Sequence, residues 1–236
     1  MSLRHAPWEE AHAFTIGLKP IAPGAWFEGG EADPARRKDT LLAAQGGLVW
    51  AEAPGSRGGQ AEVLALVAQA LGREIPQGGW PPLYAASRQV ADDLCLMETR
   101  DGEWRLTALS LSAGSFFTAS GVVGRNLAEL HGPVTGFAER LLTRVTRIFE
   151  GLRDGLVLER RNWSVVSSDE LFAPSSSAQR ARIGEIDPER AADALYVRVE
   201  RQTLRRLPQT GGAVFTIRVW LDPLAARRPG SAAMAD

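Results

Sequence analysis

Side chains suited to acid–base, nucleophilic or metal chemistry are few in this chain and far apart. There are three histidines, His5, His12 and His131, and one cysteine, Cys95. His5 and His12 fall in an irregular N-terminal stretch without partners nearby in sequence. His131 follows a short amphipathic stretch (Leu127, Leu130) and precedes Gly132-Pro133, a turn that fixes the backbone and leaves the imidazole projecting. On pattern alone two readings stay open for it, a capping or packing residue and a ligand. A zinc site needs three or four ligands at suitable spacing, and neither HExxH nor a Cys/His array occurs. A single cysteine permits no intrachain disulfide, iron–sulfur cluster or Cys-based zinc site. No GxSxG elbow is present, and Cys95 sits in an apolar run with no local base. No GxxxxGK[ST] loop occurs either, and GVVGRN (121–126) is too weak a signal to claim a nucleotide.

The other chemical signal is an arginine in a strand pattern. From Leu195 to Leu221 the chain reads LYVRVERQTLRRLPQTGGAVFTIRVWL. Tyr196, Arg198, Glu200 and Gln202 alternate with Val197, Val199, Arg201 and Thr203, and Ala213, Phe215, Ile217, Val219 and Leu221 form an apolar row. A period of two marks strands, and Pro208 with Gly211-Gly212 supplies the turn between them. The pattern predicts an antiparallel pair whose inner face carries Arg201. A buried guanidinium needs an anion. That anion is either an internal carboxylate (Glu200, Asp92 or Asp93) or a ligand. Arg198, Arg205 and Arg206 read as solvated, and Trp163 and Trp220 as core. One nitrogen ligand with several arginines is an inventory that haem fits, with a proximal imidazole for the iron and guanidinium groups for its two propionates.

The elements that must position these residues follow from composition and order. The chain has 236 residues, 44% of them hydrophobic, with a net charge of −1. That suits a sizeable globular core and argues against nucleic acid as a general partner. Basic residues exceed acidic ones only in 121–236, 17 against 14, which suits a small anionic ligand. No apolar run approaches the roughly 20 residues that span a bilayer and no signal peptide is seen, so a cytoplasmic protein without membrane contact is expected.

Residues 1–45 read as an arm, IGLKPI (16–21) with Trp26, followed by a short helix opened by Asp33 and Pro34. Residues 46–224 read as one domain and 225–236 as a disordered tail. Within the domain, 52–60 reads as a flexible loop, 61–71 as a helix ended by Gly72, and 83–90 as another helix. Asp101-Gly102 marks a hairpin tip, Phe137–Leu152 a helix, Leu156–Val166 a strand, 167–182 a Ser-rich surface loop, and 187–195 a capped helix. Strands joined as hairpins with helices between them predict an α+β fold with an antiparallel sheet.

Four stretches carry a family resemblance: DDLCLM (92–97), GRNLAELHGPV (124–134), RRNWSVV (160–166) and RVERQTLRRLPQTGGAVFTIRVWLDPL (198–224). Together with IGLKPI and Trp26 they resemble the alpha subunit of haem-dependent oxidative N-demethylase and its relatives, over roughly residues 16–224. The resemblance implies a PAS-like antiparallel sheet with flanking helices. It implies b-type haem, and O2-dependent removal of a methyl group from a small secondary or tertiary amine such as dimethylamine. Electrons would come from flavin and iron–sulfur reductase subunits. By position it makes His131 the proximal iron ligand, and charge and facing add Arg201 and Arg205 as propionate contacts. A non-catalytic haem or small-molecule sensor on the same sheet is the alternative. The chain departs from the family pattern at Val122, where a lysine is common, at Thr135, where a proline is common, and at Phe117, where a tryptophan is common.

Overall fold

In a computed structural model of the chain, residues 17–132 and 141–226 are described. His5, His12, Thr135 and most of the expected tail lie outside them, as does the first part of the helix expected from Phe137. Among the described residues seven strands form one sheet: β1 (Lys19–Ile21), β2 (Trp50–Glu52), β3 (Asp93–Arg100), β4 (Glu103–Ser110), β5 (Val157–Val166), β6 (Tyr196–Arg206) and β7 (Ala213–Pro223). Their order is β1-β5-β6-β7-β3-β4-β2, and every neighbouring pair is antiparallel. The fold is α+β with an antiparallel sheet, as the hairpin pattern predicts. Asp101 and Gly102 both take positive φ (53° and 78°) between Arg100 and Glu103, the conformation a two-residue hairpin requires.

Helices cover both faces. On one lie α1 (Pro34–Gln45), α2 (Arg57–Leu71) and α3 (Pro82–Ser87); on the other α4 (Ala119–Val122), α5 (Leu127–Leu130) and α6 (Leu142–Glu150). Two more, α7 (Ser176–Gly184) and α8 (Ala191–Ala194), lie between β5 and β6 in sequence. Val63 and Val67 of α2 and Leu83 and Ala86 of α3 pack on Leu94, Leu96, Ala108, Val157 and Val214, which defines the α2 face of the sheet. Leu127, Ala119, Val122 and Phe149 pack on Cys95, Met97, Leu109, Leu204 and Ala213, which defines the α5 face.

The arm is built into the α2 face. Its strand β1 pairs with β5, and Trp26 is fully buried with its indole N–H donating to Thr203 Oγ1 at 3.0 Å. Helix α1 begins as predicted, with Asp33 accepting from the Arg36 N–H. Its Lys38 is 2% exposed and donates to the carbonyls of Ser87 and Asp92, at 2.8 and 2.6 Å.

Three local expectations are corrected. Residues 52–60 are not a flexible loop: α2 starts at Arg57, and Ser56, Gly59 and Gln60 are buried. A Cβ on Gly59 would sit 2.7 Å from Glu98 Oε1, so glycine there permits close helix–sheet approach. Residues 167–182 are not all surface loop, because Ser175 caps α7 and Ser167 and Ser168 are buried. In both stretches small polar residues serve helix starts, a role that composition does not separate from loop. The region 187–195 is a 3-10 turn over Pro188–Arg190 followed by α8 rather than one continuous helix.

Candidate functional site

His131 sits at the C-cap of α5, and the chain fixes that helix by its own side chains. Asn126 and Glu129 form a reciprocal capping box: the Glu129 N–H donates to Asn126 Oδ1 at 2.9 Å, and the Asn126 N–H to Glu129 Oε2 at 2.8 Å. The Asn126 side-chain amide also donates to Glu103, 3.2 Å away at the start of β4. Backbone bonds from Gly124 N–H to Leu106 O and from Leu106 N–H to Arg125 O hold the approach to the helix on the same strand. Leu127 then anchors α5 in the core of its face. A four-residue helix has little stability of its own. This one is held at both ends.

The imidazole is half-buried, with Nδ1 2.8 Å from the Leu127 carbonyl. A carbonyl only accepts, so Nδ1 carries the hydrogen and the lone pair lies on Nε2. This is the arrangement of metal-ligating histidines, whose second nitrogen is oriented by a backbone or carboxylate acceptor. Burial chiefly, and the charge of Arg160 secondarily, draw its pKa below the usual 6.5; the bond to Leu127 works the other way. The lowered pKa favours the neutral ring, the form in which imidazole can coordinate a metal. Among the described residues no three His, Cys, Asp or Glu side chains gather as a metal cage would.

The strand register shows what lies on the same side. Paired residues of antiparallel strands share a face, so Leu158, Arg160 and Asn162 of β5 join Leu204, Gln202 and Glu200 of β6 and Phe215, Ile217 and Val219 of β7. Along the face the rows run from apolar (Leu158, Leu204, Phe215) through mixed (Arg160, Gln202, Ile217) to polar (Asn162, Glu200). β6 and β7 are central strands, yet their two faces are buried to different degrees. On the α2 face Thr203 and Thr216 are both 0% exposed and Val214 is fully buried. On the α5 face Leu204, Ala213 and Val219 are buried too, while Leu158, Gln202, Phe215 and Ile217 are half-buried. Leu158, Phe215 and Ile217 pack against the core of this face, together with Leu130 of α5 and Leu142, Val145 and Ile148 of α6.

The other two predicted site residues lie elsewhere. Arg201 is opposite Arg218 and in one row with it, on the α2 face, and the sheet stands between it and His131. It is 1% exposed, with Nε 2.5 Å from Glu159 and 3.1 Å from Glu28, and it donates to the carbonyls of Trp26 and Ala25 at 2.8 and 2.7 Å. Its anion is internal, but the partners are not the Glu200, Asp92 or Asp93 weighed from sequence. Arg205 lies on that α2 face too, its guanidinium 4.5 Å from the Trp26 ring centre. It is buried rather than solvated, and burial lowers its pKa. Arg198 is also buried, at 3%, and bonds Glu200, the Leu171 carbonyl and the Ala113 carbonyl.

Sequence reasoning passed over Arg160 and read Glu200 only as a pairing partner. Both alternate with period two beside Leu158 and Leu204, which was the available signal. Deciding that their face is the one under His131 takes the register of β5 on β6 and the docking of α5. Of the positions where the chain departs from the family pattern, Val122 is buried in the α5-face core and Phe117 is 36% exposed.

The fold and site together are an antiparallel α+β sheet with helices on both faces and one imidazole oriented by a backbone carbonyl at the end of α5. Residues 60–231 match the family described as haem-dependent oxidative N-demethylase, alpha subunit-like. The chain belongs to that family. The match takes in β3 to β7, α5 and His131; the β1 strap, α1 and β2 lie outside it.

Proposed function

We propose that this chain is the haem-carrying subunit of an oxidative N-demethylase, acting on a small secondary or tertiary amine with O2 and electrons from a partner reductase. The observation that carries the reading is the His131 imidazole, oriented by the Leu127 carbonyl at the C-cap of α5, on the same side of the sheet as Leu158, Phe215 and Ile217. The family match supplies the cofactor and the reaction class.

His131 would hold the haem iron, and the Leu127 carbonyl would set the tautomer and orientation of its ring. Arg160 is our choice for a propionate contact: it lies on this face and its charge acts on His131. Arg201 and Arg205, across the sheet, serve the α2 face. Leu158, Phe215 and Ile217 would flank the porphyrin and keep water from it. Bound haem supplies oxygen activation. Overall, an N-methylamine, dioxygen, two electrons and two protons become the shorter amine, formaldehyde and water, so the electrons must come from outside the chain. A flavin or iron–sulfur partner would meet that need. Leaving aside the short β1 and β2, the strands lie in the order β4-β3-β7-β6-β5 with helices α4–α6 after the second, which supports a PAS-like sheet. Among the described residues no helix is long and apolar enough to cross a membrane, and we place the protein in the cytoplasm.

The test is formaldehyde release from dimethylamine by haem-loaded protein given O2 and a chemical or flavoprotein electron donor. Turnover that needs all three supports the reading. Stable haem binding with no formaldehyde from any N-methylamine would leave a sensor in its place.

A further inference from the structure

An N-methylated dialkylamine is a stronger base than the groups that titrate near neutrality, and it reaches a protein at pH 7 as an ammonium ion. Taking such an ion out of water requires a counter-charge. The strands present two carboxylates on the α5 face, Asp93 and Glu200. Asp93 is 1% exposed and already accepts from the Ser112 N–H (2.6 Å), the Ser112 hydroxyl (2.7 Å) and the Ala113 N–H (3.0 Å). It closes a loop and has no surface to offer.

Glu200 is built differently. One carboxylate oxygen accepts from Arg198 Nε at 3.0 Å and the other from Gln202 Nε2 at 2.9 Å, which fixes the group without using all its lone pairs. Arg198 is in turn pinned to the Ala113 and Leu171 carbonyls, so the cation that positions Glu200 is itself buried. The Glu200 side chain keeps 21% of its surface accessible. It stands opposite Asn162, one step along the strands from the Arg160–Gln202 pair, at the polar end of the face that carries His131.

We propose that Glu200 is the substrate-binding carboxylate: it accepts an N–H of the incoming alkylammonium ion and selects amines over neutral isosteres. This rests on the N-demethylase reading above and assigns the substrate end of the same face. Arg198 and Gln202 are its positioning residues.

The test is calorimetric titration of dimethylammonium and tetramethylammonium into wild-type and Glu200→Gln protein at pH 7, with the Soret absorbance and melting temperature of each recorded alongside. The expected result is at least tenfold weaker dimethylammonium binding in Glu200→Gln at unchanged haem content and melting temperature. On wild-type protein, tetramethylammonium, which has the charge but no N–H, is expected to bind at least tenfold more weakly than dimethylammonium. That comparison decides the matter if the variant fails to fold. Equal affinity of variant and wild type, equal affinity for the two ions, or no amine binding by wild-type protein overturns the assignment. A wild type without a Soret band sinks the haem reading instead, and the amine titration still reports on Glu200.

Discussion

Charge placement decides the role of single residues here. Arg201 stands between Glu159 and Glu28 with almost no exposure. Removing one partner of a buried ion pair leaves the other uncompensated, at about 3–5 kcal/mol. Arg201→Leu should therefore lower the unfolding free energy in urea by that order, and any variant protein that folds should bind haem as wild type does. Asp92 makes a second test. Burial lifts its carboxyl from 3.8 to about 6 against the opposing pull of Lys38, Arg218 and Arg201. A raised folded-state value means the native chain holds a proton that the unfolded chain has released. Its contribution is then most favourable below the unfolded value and is lost as pH rises through about 6. The stability of wild type relative to Asp92→Asn should fall between about pH 4 and pH 6 in paired urea melts. A flat difference would show that Asp92 titrates alike in both states. His131 works in the opposite direction: its lowered pKa makes the unfolded chain the better proton acceptor, so its contribution weakens as pH drops below 6.5.

At the level of elements, α5 delivers His131, and its capping box is what holds a four-residue helix in place. Asn126→Ala removes the cap and should cost about 1 kcal/mol. Because His131 ends the same helix, haem dissociation, followed by transfer to apomyoglobin, should quicken in that variant. The hairpin at Asp101-Gly102, the β6–β7 turn and the Asp33 cap of α1 were legible in the sequence, since each depends on neighbours a few residues apart. The start of α2 and the helix α7 were not. Gly59 and Ser56 look like loop residues until the close approach of Leu96 and Glu98 is known. The site divides in the same manner. His131 could be singled out from its turn, whereas Arg160 and Glu200 gain meaning only from a register linking distant segments of the chain. Arg201 was legible as a buried arginine, but its partner Glu28 comes from the N-terminal arm, on the side of the sheet away from His131.

For the whole molecule the two faces of the sheet are packed differently. Its α2 face is sealed by the strap, with Trp26, Thr203 and Thr216 hydrogen-bonded in sequence and Arg201 beneath the Ala25 and Trp26 carbonyls. Its α5 face keeps Leu158, Phe215 and Ile217 half-buried, on the side of the sheet where α5 ends in the imidazole oriented by Leu127. Substitutions on the two faces should accordingly sort by phenotype. Thr203→Val strands the buried Trp26 N–H and should cost about 1–3 kcal/mol in stability with haem affinity unchanged. Ile217→Gln, half-buried at the proposed porphyrin surface, should weaken haem binding with a smaller effect on the urea midpoint. The reverse sorting would mean that the face assignment is inverted.

The most direct measurement is the absorption spectrum of haem-reconstituted wild type beside His131→Ala. The wild type should show the Soret band of histidine-ligated haem, and the variant should lose it or show it shifted on adding free imidazole. Identical spectra from the two proteins, or a wild type that retains no haem after gel filtration, would contradict haem ligation by His131.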